Sequence, residues 1–246
     1  MKIKHSEISR KGYGKASNED SIIVKKIENG FIFAAADGLG GLSHGKIASL
    51  YAVEKIAKAS KDIEKSCDLK VTLERVFNDI DDELRFLAGK MNNKIGTTLT
   101  LMVVTGENYY IAHVGDTRVY EIRKDKVYLL TRDDSWLQDE IEKGEIDIND
   151  LLRDPRANML TQCLGEGKKP KVRLYKGEVR ENSIYLLCSD GFRRSLSLKS
   201  IARIYEKHES GSSFDAILDS LSKVIEESEE RDDHSAIIFT FRRDGI

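Results

Sequence analysis

The apolar positions of this chain fall into two periods. Alternating or continuous apolar runs at 3–8, 21–27 and 31–36 read as strands, as do those at 97–104, 109–114, 117–123, 127–130, 172–178, 183–188 and 235–242. The Glu28-Asn29-Gly30 stretch between the second and third is a hairpin signal. Over 68–91 the period lengthens. Leu73, Phe77, Ile80, Leu84, Leu87 and Met91 recur at alternating spacings of four and three, which is one face of an amphipathic helix. A helix is also expected over 44–60, with Ser43 placed to cap it, and over 197–207. At 214–228, Phe214, Ile217, Leu218, Leu221, Val224 and Ile225 form a further helical face. Residues 131–170 are polar with little periodicity, and so long a stretch is expected to be functional or partly helical. The short gaps between the central strands imply antiparallel meanders. Helices packed on a mainly antiparallel β core give an α+β fold.

Composition narrows the classes. No Pro/Gly/Ser-rich linker or repeat divides the 246 residues, so one domain over 1–246 is expected. Forty Lys and Arg face 42 Asp and Glu, which leaves no nucleic-acid footprint. No stretch approaches the roughly 20 apolar residues of a membrane span, and the first residues hold no apolar signal core. The cysteines (Cys67, Cys163 and Cys188) are scattered without Cys-x-x-Cys spacing, so a disulfide or zinc role is not expected and a cytoplasmic setting fits.

The chemistry lies in five acidic signatures: Asn18-Glu19-Asp20, Ala36-Asp37-Gly38-Leu39-Gly40-Gly41, Gly115-Asp116-Thr117-Arg118, Ser189-Asp190-Gly191 and Arg231-Asp232-Asp233. Each puts a carboxylate at or beside the end of an apolar β-type run, where it can be aimed at a common centre. Carboxylates a few ångströms apart in a partly dry site repel by several kcal/mol unless something positive neutralises them. Hard divalent cations with oxygen ligands meet that need, and a pair of them is a recurring tool for phosphate-ester hydrolysis. Singly, each signature is ordinary turn chemistry.

In this order the motifs resemble the metal-dependent serine/threonine phosphatases of type 2C (PPM), over about residues 9 to 241. The resemblance implies a central antiparallel β-sandwich flanked by helices on both faces, in α-β-β-α layers. It implies hydrolysis of phosphoserine and phosphothreonine in proteins by a water bridging two Mn²⁺ or Mg²⁺ ions. Asp37 would bridge the ions, the Gly38 carbonyl would bind one, and Asp190 and Asp232 would complete the second site. Glu19 and Asp20 would hold metal-bound waters, and Asp116 would help hold a third, weaker ion, although a strand-to-strand turn explains Gly115-Asp116 equally well. Residues 131–170 would be a flap subdomain that influences substrate choice, with Asp134, Ser135 and Trp136 in it. Phosphoproteins, and a cognate serine/threonine kinase acting on the same substrates, are the implied partners; no nucleic acid and no membrane are expected.

The departures from the pattern are specific. Lys15 stands where the family usually has a phosphate-gripping arginine, so charge is kept and the planar fork is lost. Leu39 replaces a histidine proposed as general acid in many eukaryotic members, Asp134 a frequent histidine, and Asp233 the usual asparagine. His44 reads as a surface residue at a helix start. Cys163 and Cys188 are not expected to be nucleophiles, and the chain is read as lacking a Cys-x5-Arg loop. Two alternatives accompany the phosphatase: a pseudophosphatase serving as a phosphoprotein-binding module, and a regulatory phosphatase dedicated to one small phosphoprotein.

Overall fold

The computed structural model describes residues 2–39, 44–124, 126–144 and 147–242. Strands β1 (Lys2–Arg10), β2 (Asp20–Ile27) and β3 (Gly30–Leu39) lead into helices α1 (His44–Glu64) and α2 (Leu69–Met91). There follow β4 (Gly96–Thr97), β5 (Leu99–Thr105), β6 (Asn108–Val114), β7 (Arg118–Arg123) and β8 (Lys126–Leu129), then α3 (Trp136–Lys143) and α4 (Ile148–Arg153). After β9 (Arg173–Glu178) and β10 (Ile184–Cys188) come α5 (Asp190–Arg194), α6 (Leu198–Glu209), α7 (Phe214–Glu227) and β11 (His234–Arg242). The expected cap Ser43, the Gly40-Gly41 pair and Asp125 lie outside the described residues. Among the described residues, no helix is long and apolar enough to cross a membrane.

The strands form two antiparallel sheets, one ordered β1-β11-β10-β7-β8 and the other β2-β3-β5-β6-β9, with β4 paired to β3. The expected central meander is therefore split. The β5–β6 hairpin belongs to one sheet and β7–β8 to the other, and the chain changes sheets at Gly115-Asp116-Thr117.

Alternation sorts the side chains into layers. Ile32, Ala34 and Ala36 of β3 face outward with Leu99 and Leu101 of β5, against Ala48, Ala52 and Ile56 of α1 and Leu73, Phe77 and Leu84 of α2. Ile184, Leu186 and Ile238 of the other sheet meet Ile201 and Ile204 of α6 and Ile217, Leu221 and Ile225 of α7. Between the sheets lie Phe33, Met102, Ile111, Tyr185, Leu187, Ile237 and Phe239. These clusters are the expected α-β-β-α layers. α2 begins where the Asp68 carboxylate accepts hydrogen bonds from the Lys70 and Val71 amides, and it stops at Asn92 in the left-handed conformation.

The inter-sheet layer changes character along its length. Its apolar part is aromatic: Phe33 and Phe239 stack with ring centroids 3.8 Å apart, and Tyr185 stacks on Phe239 at 5.4 Å. The same inward-facing rows then turn polar. On β3 the row of Phe33 and Ala35 continues to Asp37, and on β2 Ile22 and Val24 share their face with Asp20. On β5 Met102 leads back to Thr100, on β6 Ile111 leads to His113, and on β11 Ile237 leads back to Ser235. Asp20 pairs with Asp37 in register, Ala35 with Thr100, and Thr100 with His113. One end of the sandwich is thus a buried polar floor. Phe239→Ala, at the opposite, aromatic part, should cost about 3–5 kcal/mol in denaturant unfolding. A cost below about 1 kcal/mol would contradict this packing account.

Candidate active site

Asp37 is fixed by its backbone. Its N–H donates to Thr98 Oγ1 at 2.9 Å, and its carbonyl accepts from the Thr98 N–H and from Thr97 Oγ1, both at 2.9 Å. The main chain is saturated, so the side chain is free to serve the polar floor. Gly38 follows for a steric reason. A Cβ there would lie 2.1 Å from the Gly45 carbonyl oxygen, so only glycine lets the first turn of α1 rest on β3. Gly115 does the same for the turn bearing Asp116: its φ is +111° and a Cβ would stand 2.5 Å from Thr98 Cβ. Thr98 and Thr117 share a 2.9 Å hydroxyl hydrogen bond, so the acidic turn leans on the residue that holds Asp37.

The other carboxylates arrive from both sheets. Asp20 is buried and accepts from Ser189 Oγ at 2.8 Å. Asp190, expected at a strand end, is the first residue of the short helix α5 and is buried, with its charge acting on Asp37. Asp232 lies just before β11, and Asp116 is buried. Burial, followed by the charges of Asp20, Asp190, Asp116 and Asp232, holds the Asp37 carboxyl well above its ordinary range. Burial likewise raises Asp20, Asp116 and Asp190, with neighbouring carboxylates adding to the shift.

Among the described residues, no three acidic, histidine or cysteine side chains close into a ready ion cage. Basic side chains interleave with the carboxylates instead. Lys15 Nζ sits 2.8 Å from Asp232 Oδ1 and 2.9 Å from Asp233 Oδ2. Arg194 pairs with Asp190 and, at 3.3 Å, with Asp232. Arg193 lies 3.3 Å from Asp116 and 3.5 Å from Asp133. Burial pulls the Lys15 ammonium down, but its hydrogen bonds to Asp232 and Asp233 outweigh this and hold it above its usual range. The cations do not satisfy the whole group. Glu19 Oε1, Asp20 Oδ1 and Asp190 Oδ1 are buried without a hydrogen-bond partner. Orphaned anionic oxygens are costly, and an all-oxygen donor set suits a hard divalent ion. The residues fit such a group.

Several expectations change here. Asp233 adds no loose charge: it is buried and accepts from the Gly12 amide (2.8 Å), the Glu19 amide (2.7 Å) and Lys15, tying the 12–19 loop to β11. Asp134, expected on a substrate-facing flap, is fully buried. Arg173 Nε donates to it at 2.6 Å and the Gly115 amide at 3.1 Å. Ser135 is buried as well and caps α3, accepting from the Gln138 amide. Both anchor the 131–170 segment instead of facing solvent. Trp136 is half-buried, with the Arg156 guanidinium 4.2 Å from its ring centroid. The segment's far end is tied to the site's own threonine, through backbone hydrogen bonds between Leu164 and Thr97 of 2.9 and 3.0 Å. His44 is half-buried at the start of α1, its Nε2 3.3 Å from Asn93 Nδ2.

The cysteine reading needs correction at one point. Cys188 and Arg194 do stand in Cys-x5-Arg spacing. The thiol is fully buried in β10 among residues facing α6 and α7, and burial pushes its pKa up to about 12. It offers no thiolate nucleophile. Sequence reasoning also missed Arg193, Arg194 and Ser189. The signal was present as two arginines three and four residues after Asp190, the spacing that brings a helical side chain back over an acidic first turn.

The family model described as "Protein phosphatase 2C" matches residues 11–233. The chain belongs to the protein phosphatase 2C family. Among its phosphatase 2C relatives, the serine/threonine phosphatase Stp of Listeria innocua serovar 6a is 32% identical over 165 residues, which span 65% of this chain and 66% of that protein. The solved serine/threonine phosphatase of S. agalactiae superposes with a TM-score of 0.88 at 21% identity, covering 98% of this chain and 100% of that one. The catalytic domain of the phosphatase PstP, solved in complex with 2 manganese ions, gives 0.79 at 24% identity and 97% coverage of each chain. Within this family fold, the carboxylate crowding makes a direct prediction. Asp37→Asn should raise the melting temperature of the EDTA-treated protein by about 2–4 °C, by removing one like charge from the crowded carboxylate group. The same change should abolish stabilisation by Mn²⁺. A lower metal-free melting temperature, or an unchanged Mn²⁺ shift, would contradict the placement of Asp37 at the centre.

Proposed function

We propose that the chain is a metal-dependent serine/threonine protein phosphatase, a phosphoric monoester hydrolase acting on phosphoproteins. One domain over 1–246 carries the activity, with 131–170 as the flap beside it. The observation that carries this reading is the meeting of Asp37, Asp190 and Asp232 with Asp20 and Asp116 at the polar end of the inter-sheet layer, in a chain of this family. The ion pair, taken as Mn²⁺ by likeness to the manganese-bound PstP domain or as the equally hard Mg²⁺, supplies charge neutralisation and an acidified water when bound.

The chain's own residues do the rest. Asp37, the Gly38 carbonyl, Asp190 and Asp232 would hold the two ions, Asp37 being the carboxylate whose surroundings include both Asp190 and Asp232. Asp116, partnered by Arg193, would be the residue to help hold a third, weaker ion. Glu19 and Asp20 orient water through their unpartnered oxygens, with Asp20 steadied by Ser189. Lys15 provides positive charge for the phosphoryl group. Leu39 cannot donate a proton, so the leaving alkoxide would take one from a water or from another group of the site. A cytoplasmic kinase of serine and threonine is the matching source of substrate.

The test is hydrolysis of p-nitrophenyl phosphate and a phosphothreonine peptide with Mn²⁺, Mg²⁺, Ca²⁺ or EDTA in parallel. The reading predicts release supported by Mn²⁺ or Mg²⁺ and abolished by EDTA. No turnover by folded protein with any metal would replace it with the binding-module alternative. Asp37→Ala should lower kcat/KM by at least ~10³-fold, since each ion contributes several kcal/mol; near-normal activity would refute the assignment.

A further inference from the structure

A phosphoryl substrate brings negative charge to a floor already crowded with carboxylates. The side chain that receives it must be a cation at the rim, within reach of solvent, and able to present N–H groups to more than one oxygen. Among the described residues, the cations paired with the five site aspartates are Lys15, Arg193 and Arg194.

Arg193 is committed elsewhere. It reaches both Asp116 and Asp133, its side chain is only 17% exposed, and Asp133 is gripped in turn by Arg118 at 2.7 Å. Lys15 and Arg194 instead share one carboxylate. Lys15 Nζ takes Asp232 Oδ1 at 2.8 Å, and Arg194 Nη1 takes Asp232 Oδ2 at 3.3 Å. Their side chains remain 30% and 28% exposed. The two therefore flank Asp232 at the open side of the acidic floor. They differ in kind: an ammonium is a compact point charge, whereas a guanidinium is a planar fork that matches two oxygens of a phosphate at once. Arg194 is also carried on the helical turn that begins with Asp190, so its distance from the carboxylate centre is set by α5.

Resting on the phosphatase reading above, we infer that Arg194 is the residue that grips the substrate's phosphoryl group, with two guanidinium N–H groups on two of its oxygens and Lys15 beside it as a second charge. The planar fork that the 12–19 loop lacks at Lys15 is supplied from the opposite side of Asp232. Arg194 is a binding residue for the proposed reaction, and its contacts with Asp190 and Asp232 hold it at the rim beside the carboxylates that would take the ion.

The experiment compares wild type with Arg194→Ala, Arg194→Gln, Arg194→Lys and the double variant Arg194→Ala/Lys15→Arg, each checked for a cooperative melt. Two quantities are read: KM for p-nitrophenyl phosphate with Mn²⁺, and the calorimetric Kd of inorganic phosphate for Mn²⁺-loaded protein. Loss of a charged bidentate contact should raise both together by roughly 10- to 100-fold in the alanine and glutamine variants. Arg194→Lys should recover only part of the loss, and Lys15→Arg in the alanine background should recover most of it. Calorimetric Mn²⁺ affinity should not fall in the alanine variant, because Arg194 competes with cations for Asp190 and Asp232. An unchanged phosphate Kd in both the alanine and glutamine variants would overturn the inference, and so would a loss of Mn²⁺ binding that accounts for the rise in KM. If wild type shows no turnover, the phosphatase reading falls on its own. The phosphate Kd then still decides for Arg194, with no difference between wild type and variants, or no phosphate binding at all, counting against it.

Discussion

Repulsion among buried carboxylates is the constraint on which this molecule turns. Two sheets stack through Phe33, Tyr185 and Phe239 along part of their shared face, and that packing is indifferent to charge. At the other end the same rows bring Asp20 and Asp37 into register, with Asp190, Asp116 and Asp232 close enough for their charges to act on Asp37. Such a group persists only with counter-charge. In the protein as described, Lys15, Arg193 and Arg194 supply part of it, and orphaned oxygens on Glu19, Asp20 and Asp190 mark the part they do not reach. The acidic floor is a local conflict between stability and chemistry, of the sort expected where a site is built for a ligand.

The scaffold holds that conflict in place through backbone geometry. Thr97 and Thr98 saturate the main chain of Asp37, and Gly38 and Gly115 bring α1 and the acidic turn into contact with the same strand end. Thr97 also pairs with Leu164, and Asp134 pairs with Gly115. Both ends of the 131–170 segment are therefore attached to elements that position the carboxylates.

Much of this was legible in the sequence because local period and global layer agree. The four-three stripe of Leu73 to Leu84 is the face α2 buries, and the runs at 31–36 and 183–188 are strands whose alternate residues serve two cores. The acidic signatures could be located because each ends or borders such a run. What was hidden depends on pairing across long separations. Nothing near Gly115 announces that the chain changes sheets there, since both hairpins look alike locally. Asp134 looked like a flap position until Arg173 and the Gly115 amide were seen to enclose it. Asp233 stands in the sequence only as a replacement for an asparagine, and its hold on the 12–19 loop shows only in the fold. Arg193 and Arg194 reach the acidic group only through the single helical turn of α5, which is too short to leave a periodic apolar pattern in the sequence.

The number of ions the acidic floor takes up is the most direct measure of a shared site. Calorimetric titration of Mn²⁺ into the metal-free protein should show two ions bound by wild type, with binding lost in Asp37→Asn. Absence of Mn²⁺ binding to folded wild type, or uptake that Asp37→Asn leaves intact, would contradict the claim that these carboxylates form a shared ion site.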